Sequence, residues 1–172
     1  MNVPRRSQGF SMVEAVVAIL LMGILAMAAI PLISGGVEAY QTTTSQLVTL
    51  SKLRYATERI AREIREVRRV PATPTNYDIT TAPGSSVTFT KSDANQVTIT
   101  TALPLVTMAY QTPAANATLT DQVSSLAFRF LDINNAVTAS AAQVAFVEIS
   151  LALTVDGVVM QQRTCVSLRN LQ

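Results

Sequence analysis

Glu14 stands in an otherwise uncharged stretch of this 172-residue chain, and its position demands a chemical reason. It follows Phe10 by four residues, and no charged residue occurs from Ala15 to Val37. A carboxylate at membrane depth costs on the order of 2.5–3.5 kcal/mol on insertion scales, and less near the interface. Two readings fit: Glu14 rests in the headgroup layer beside Arg5 and Arg6, or it meets a cationic partner. A free amine on Phe10 would be such a partner if the residues before it were removed. Catalytic material is thin elsewhere. The chain has no His, which removes the commonest general base and metal ligand. Cys165 is the lone cysteine, so no intrachain disulfide forms, and a small buried hydrophobe is expected there. Ser51 and Lys52 occupy adjacent helical positions and point apart. Asp121 and Asp132 lack the spacing of a calcium loop, and no Gly-rich phosphate loop occurs. The expectation is a protein that is not an enzyme and holds neither cofactor nor metal.

The composition points to an anchor. Hydrophobic residues make up 49% of the chain and charged residues 14%, with a mean hydropathy of +0.32. That excess gathers in the uncharged stretch, which exceeds the roughly 20 apolar residues a helix needs to cross a bilayer. Ser34-Gly35-Gly36-Val37-Glu38 resembles a signal-peptidase site only weakly, and the apolar run is longer than the roughly 7–15 residues of a secretory signal core. Arg5 and Arg6 precede the run and Glu38 follows it, so the positive-inside bias puts Met1 in the cytoplasm.

The residues Gly9-Phe10-Ser11-Met12-Val13-Glu14, followed by Gly23-Ile24-Leu25-Ala26 and Pro31, resemble the N-terminus of type IV prepilins and secretion pseudopilins. Ser11 and Met12 stand where Thr and Leu are commoner in that family, and Ala15 replaces a larger aliphatic residue. The resemblance implies a leader, residues 1–9, that a prepilin peptidase removes after Gly9. It further implies N-methylation of Phe10, and pairing of Glu14 with the Phe10 amine of a neighbouring subunit. Pro31, which lacks a backbone N–H, is expected to kink or locally melt the helix or to mark its boundary, and Gly35 and Gly36 add flexibility nearby. Residues 10–36 would then form the transmembrane and filament-core helix.

Residues 37–70 read as a second, amphipathic helical half. Leu50, Leu53, Thr57, Ile60, Ile64 and Val67 recur at helical spacing, and Pro71 and Pro74 end the pattern. Residues 52–69 carry seven bases against three acids, with Arg54–Glu58, Glu58–Arg62, Arg59–Glu63 and Arg62–Glu66 spaced for i,i+4 pairing. Acids interleave the bases and Tyr55 is the lone aromatic, so a solvated, filament-facing helix is expected rather than a nucleic-acid surface. Residues 71–172 turn to strand composition. Val87 and Phe89 pair across Ser92-Asp93-Ala94-Asn95 with Val97 and Ile99; Leu126, Phe128 and Phe130 alternate. Ala145 to Val155 alternates into an Asp156-Gly157 hairpin loop that returns through Val158, Met160, Val166 and Leu168. Segments 111–120 and 132–143 are expected to be surface loops. The fold class is α+β, a long N-terminal helix packed on a C-terminal antiparallel sheet that lies in the periplasm.

Residues Arg59-Ile60-Ala61-Arg62-Glu63-Ile64-Arg65 and the closing Val166-Ser167-Leu168-Arg169-Asn170 are similar to larger minor pilins. These are the O-type biogenesis protein of the mannose-sensitive haemagglutinin (MSHA) pilus and the J-type pseudopilin of type II secretion. The role implied is initiation, capping or decoration of a filament. The implied partners are prepilin peptidase, other pilin or pseudopilin subunits and the inner-membrane assembly platform, with localisation first in the bacterial inner membrane and then in a pilus or pseudopilus. The alternative is a single-pass anchored periplasmic binding protein that does not polymerise.

Overall fold

The computed structural model describes residues 11–81 and 84–168, and the chain divides into two compact units between Thr44 and Ser45. The helix α1 (Met12–Arg65) contributes to both. In the first unit α1 is continuous through Pro31, Gly35 and Gly36, so the local melting that a helix-interior proline can cause is absent there, and Pro31 is no boundary. A proline removes a single intrahelical bond. The Ser34 hydroxyl, a single donor, lies 3.0 Å from the Ile30 carbonyl and 3.2 Å from that of Pro31, shared between two carbonyls of the preceding turn. Thr43 and Thr44 likewise donate to the carbonyls of Ala39 and Tyr40, at 2.8 and 2.9 Å. Such back-bonding keeps hydroxyl residues compatible with a helix that their propensities would weaken.

Among the described residues the second unit holds the rest of α1 and nine strands: β1 (Arg69–Val70), β2 (Thr73–Tyr77), β3 (Ser86–Thr90), β4 (Gln96–Ala102), β5 (Leu105–Tyr110), β6 (Ala115–Thr120), β7 (Val123–Leu131), β8 (Phe146–Val155) and β9 (Val158–Ser167). All pairings are antiparallel, which gives the α+β class that the sequence pattern predicts. The strands form three sheets rather than one: β1-β2, β3-β4-β5-β6 and β7-β8-β9. Leu53, Ala56, Ile60 and Ile64 of α1 share one buried cluster with Val87, Phe89, Val97, Ile99 and Met108 from the four-stranded sheet. Phe128, Phe130, Val147, Ile149, Leu151 and Val166 from the three-stranded sheet complete it. The helical stripe is centred on Leu53, Thr57, Ile60 and Ile64, with Thr49 buried one turn earlier; Leu50 falls at its margin and stays 41% exposed.

Two turns follow directly from residue type. Asp156 and Gly157 both take positive φ, 50° and 77°, as the two-residue β8–β9 loop requires, and every pair from Val155↔Val158 to Phe146↔Ser167 then falls into register. In the β3–β4 turn Ala94 has φ 65°, and the Asp93 carboxylate accepts from the Asn95 N–H at 2.9 Å.

Two boundaries and one side-chain placement depart from the sequence reading. The helix ends at Arg65, not near Val70. Its last turn tightens through Glu66 N–H to Glu63 O and Val67 N–H to Ile64 O, and the next residues are captured by strands, with Arg68 N–H donating to Thr90 O and Asp78 N–H to Arg68 O. Segment 111–120 contains β6, whose Ala- and Asn-rich sequence has weak strand preference but pairs along β5 from Tyr110↔Ala115 to Val106↔Thr120. Cys165 is exposed, because the β9 alternation turns Val166 inward and Cys165 outward. Segment 132–143 is an irregular connection, tightened where Asp132 Oδ1 accepts the N–H groups of Asn134 and Ala136, both at 2.8 Å.

Ile60 is fully buried where α1 meets the sheets. Ile60→Ala is expected to cost about 2–5 kcal/mol. In urea titrations of the detergent-solubilised chain this appears as a lower midpoint with an unchanged slope.

Candidate functional site

The residues singled out for chemistry lie at the start of α1. Gly9 and Phe10 fall outside the described residues. From Ser11 onward the geometry is that of a capped helix start: Ser11 Oγ accepts from the Glu14 N–H at 3.2 Å, and Ser11 O accepts the first main-chain bond from Ala15. Ser11-Met12-Val13-Glu14 thus has the S-x-x-E spacing of a capping box, a signal in the residues that the motif reading did not use. Glu14 sits in the first turn, where a carboxylate complements the helix dipole. It is exposed, and among the described residues no cation pairs with it.

Beyond Glu14 the helix is apolar on every side. Its most hydrophobic 18-residue window has a mean hydropathy of 2.8 and is wholly unburied. Val16, Leu20, Leu21, Ile24, Leu25 and Ile30 are all more than half exposed. A helix that is apolar all round is suited to a membrane or to the centre of a helical bundle. The charge-free span Ala15–Val37 reaches about 34 Å at 1.5 Å per residue, enough for a hydrocarbon core of about 30 Å. What this segment can do is anchor and associate.

A second cluster, of which the sequence reading holds only the Arg59–Glu63 pair, lies where α1 meets β3–β5. Glu63 is 3% exposed. Its Oε1 is 2.7 Å from Arg59 Nη2 and accepts from the Tyr110 hydroxyl at 2.9 Å, while Arg59 Nη2 donates to Tyr110 Oη at 2.7 Å. Lys91 Nζ sits 2.8 Å from Glu66 Oε2 and 3.2 Å from Glu63 Oε2, the latter off the hydrogen-bonding direction. Of the four helical i,i+4 pairs, only Arg59–Glu63 closes among the described residues; Glu66 turns to Lys91 in place of Arg62. The Arg59–Glu63 spacing is the part of this cluster legible in the residues; Lys91 and Tyr110 come from distant parts of the chain. Burial pushes the Tyr110 hydroxyl above its ordinary value, with Glu63 adding to the effect. The hydrogen bond to Glu66 raises Lys91 against the opposing effect of burial. For Arg59 burial acts downward, but Glu63 and Tyr110 more than reverse it.

Asp121 and Asp132 do not come together. Asp121 bonds Lys52 at 2.7 Å, and that hydrogen bond holds its carboxyl below the ordinary range. Asp132 caps its own turn. Among the described residues no three acids, cysteines or histidines group as metal ligands.

Residues 4–30 match the family model for the prokaryotic N-terminal methylation motif. No curated protein matches the chain. The family match covers the segment that carries Gly9, Phe10 and Glu14, and agrees with the prepilin-type signal read from those residues. It stops short of the β-rich unit.

Tyr110 and Lys91 both have folded values above their unfolded ones. The stability each contributes is therefore complete below its unfolded value, about 10 for both, and is lost as pH rises through the folded value. Partial burial also raises the Cys165 thiol, so the thermal midpoint is expected to begin falling past about pH 9 and to fall more steeply past about pH 10. Tyr110→Phe is expected to lower the midpoint at neutral pH and to make the fall above about pH 10 shallower, as read by circular dichroism melts across pH 7–11.5.

Proposed function

We propose that this chain is a minor pilin-like subunit, matured by prepilin peptidase at Gly9 and built into a type IV pilus or a type II secretion pseudopilus. The observation that supports it is a methylation motif running directly into a long, charge-free, uncovered helix. In this reading the apolar helix holds the precursor in the inner membrane, and the basic leader, residues 1–9, orients it with Met1 in the cytoplasm and the β-rich unit in the periplasm. Cutting after Gly9 frees the Phe10 amine. Methylation leaves that amine a cation, and it pairs with Glu14 of a neighbour as the helices leave lipid for the filament core.

The pairing follows from the cost of burial. A carboxylate carried into a bundle of apolar helices loses its hydration, and a charge-assisted hydrogen bond to an ammonium group offsets much of that loss. Pro31, Gly35 and Gly36 give the helix a place to bend as subunits pack. The prepilin resemblance and the absence of His favour a structural role over an enzyme. Within that role we favour initiation, capping or decoration of the filament, on the O-type and J-type similarities.

A second reading has its own observation. Because Ser11 caps the helix and Glu14 suits its dipole, Glu14 has a use within a single chain, as it would in an anchored binding protein that never polymerises. Glu14→Ala separates the two. The subunit reading expects a normally matured protein that accumulates in the membrane, with at least about a tenfold loss from sheared filaments, the equivalent of about 1.4 kcal/mol. Undiminished recovery in filaments would contradict the pairing. Gly9→Val serves as the processing control, since a branched side chain at the cut should leave the precursor intact.

A further inference from the structure

The β7-β8-β9 sheet ends at β9 (Val158–Ser167), which pairs with β8 and with no other strand among the described residues. In a two-residue hairpin the pair flanking the loop, here Val155 and Val158, exchanges both main-chain bonds, and such pairs alternate from there. Val158, Met160, Gln162, Thr164 and Val166 therefore spend their N–H and C=O groups on β8. Val159, Gln161, Arg163, Cys165 and Ser167 turn theirs outward. This edge is ten residues long and lacks the proline or bulge that commonly blunts one. It also lies beside a charged wall. A cleft of about 330 Å³ is lined by Thr57, Glu58, Ala61, Arg62 and Arg65 of α1 together with Thr164 of β9. Arg62 and Arg65 are exposed and form no ion pair among the described residues, and the same holds for Arg54 about two turns earlier.

We propose that the β9 edge is a docking site for an extended acidic segment of another polypeptide, which adds as a fourth strand and places alternate carboxylates against Arg62 and Arg65. Main-chain bonds to the outward groups of β9 would hold the segment, and side chains on its inner face would lie over the cleft. The spacing suits carboxylates two residues apart. Such residues are about 6.8 Å apart on a strand, and Arg62 and Arg65 are about 4.5 Å apart along the helix, a difference that flexible arginines absorb. A second copy of this chain is a poor occupant, because none of its eleven acidic residues is followed by another two positions later. The occupant is thus a different polypeptide, recognised by main-chain pairing and by acidic side chains in alternation.

The test uses the full chain in detergent micelles and a fluorescein-labelled peptide of five Thr-Glu repeats. Saturable binding is expected, with slowed amide exchange at Val159, Gln161, Arg163, Cys165 and Ser167. The Arg62→Ala/Arg65→Ala variant should weaken binding about tenfold. Because neither arginine has an anionic partner among the described residues, its melting curve should stay close to that of the unaltered protein. A Thr-Lys peptide, and a Thr-Glu peptide N-methylated at alternate amides, should each bind at least tenfold more weakly. Equal binding of either control, or unchanged exchange along β9, would overturn the proposal. So would tighter binding of an oligonucleotide or of anionic lipid vesicles than of the acidic peptide, which would reassign the arginines to a phosphate surface.

Discussion

An uncharged helix about 34 Å long, uncovered by any described part of the chain, cannot stay in water. Exposed apolar surface carries a penalty of roughly 25 cal/mol per Å², and here it lies along the whole first half of α1. Lipid tails can cover it, and so can similar helices packed side by side. Between those two environments the apolar contribution changes little, since a hydrocarbon tail and a leucine side chain are alike to a leucine. The group that distinguishes them is Glu14, the one charge at the entrance to the segment. Near a headgroup layer it is solvated; inside a bundle it needs a cation. In the proposed reading, assembly chemistry therefore reduces to the fate of one carboxylate and of the amine four residues before it.

The β-rich unit meets a different demand. Its helix must be held to two sheets with which it shares no main-chain ladder, and apolar packing supplies most of that attachment. Glu63 adds direction. A buried carboxylate is costly unless its hydrogen bonds are satisfied, so Arg59, Tyr110 and Lys91 must approach from fixed positions. Together they lock the last turns of α1 onto β3–β5, near the residue where the helix stops. Arg68 reinforces the exit, with its Nε and Nη2 each 3.1 Å from Asp78 Oδ2, while Arg69 lies over the Tyr77 ring at 4.7 Å.

Much of this was legible in the residues because it is local. The helical stripe at Leu53, Ile60 and Ile64, the Asp156-Gly157 turn and the alternation in β3, β7 and β8 each express a short-range period or a φ preference. The cleavage and methylation signal is a contiguous string, so the family match falls on the same residues. What escaped depends on distant partners. β6 is a strand only because β5 accepts it, and α1 ends at Arg65 because Thr90 and Asp78 capture Arg68. The division into three sheets, the Glu63 cluster and the exposure of Cys165 belong to tertiary pairing, which no single window of sequence contains.

Whether this N-terminus is a substrate for cleavage and methylation is read from the intact mass after coexpression with a prepilin peptidase. Loss of Met1–Gly9 together with the gain of one methyl group on Phe10 is expected. An uncut chain that keeps Met1, beside a control prepilin that is correctly processed, would contradict it and leave a permanently anchored single-pass protein.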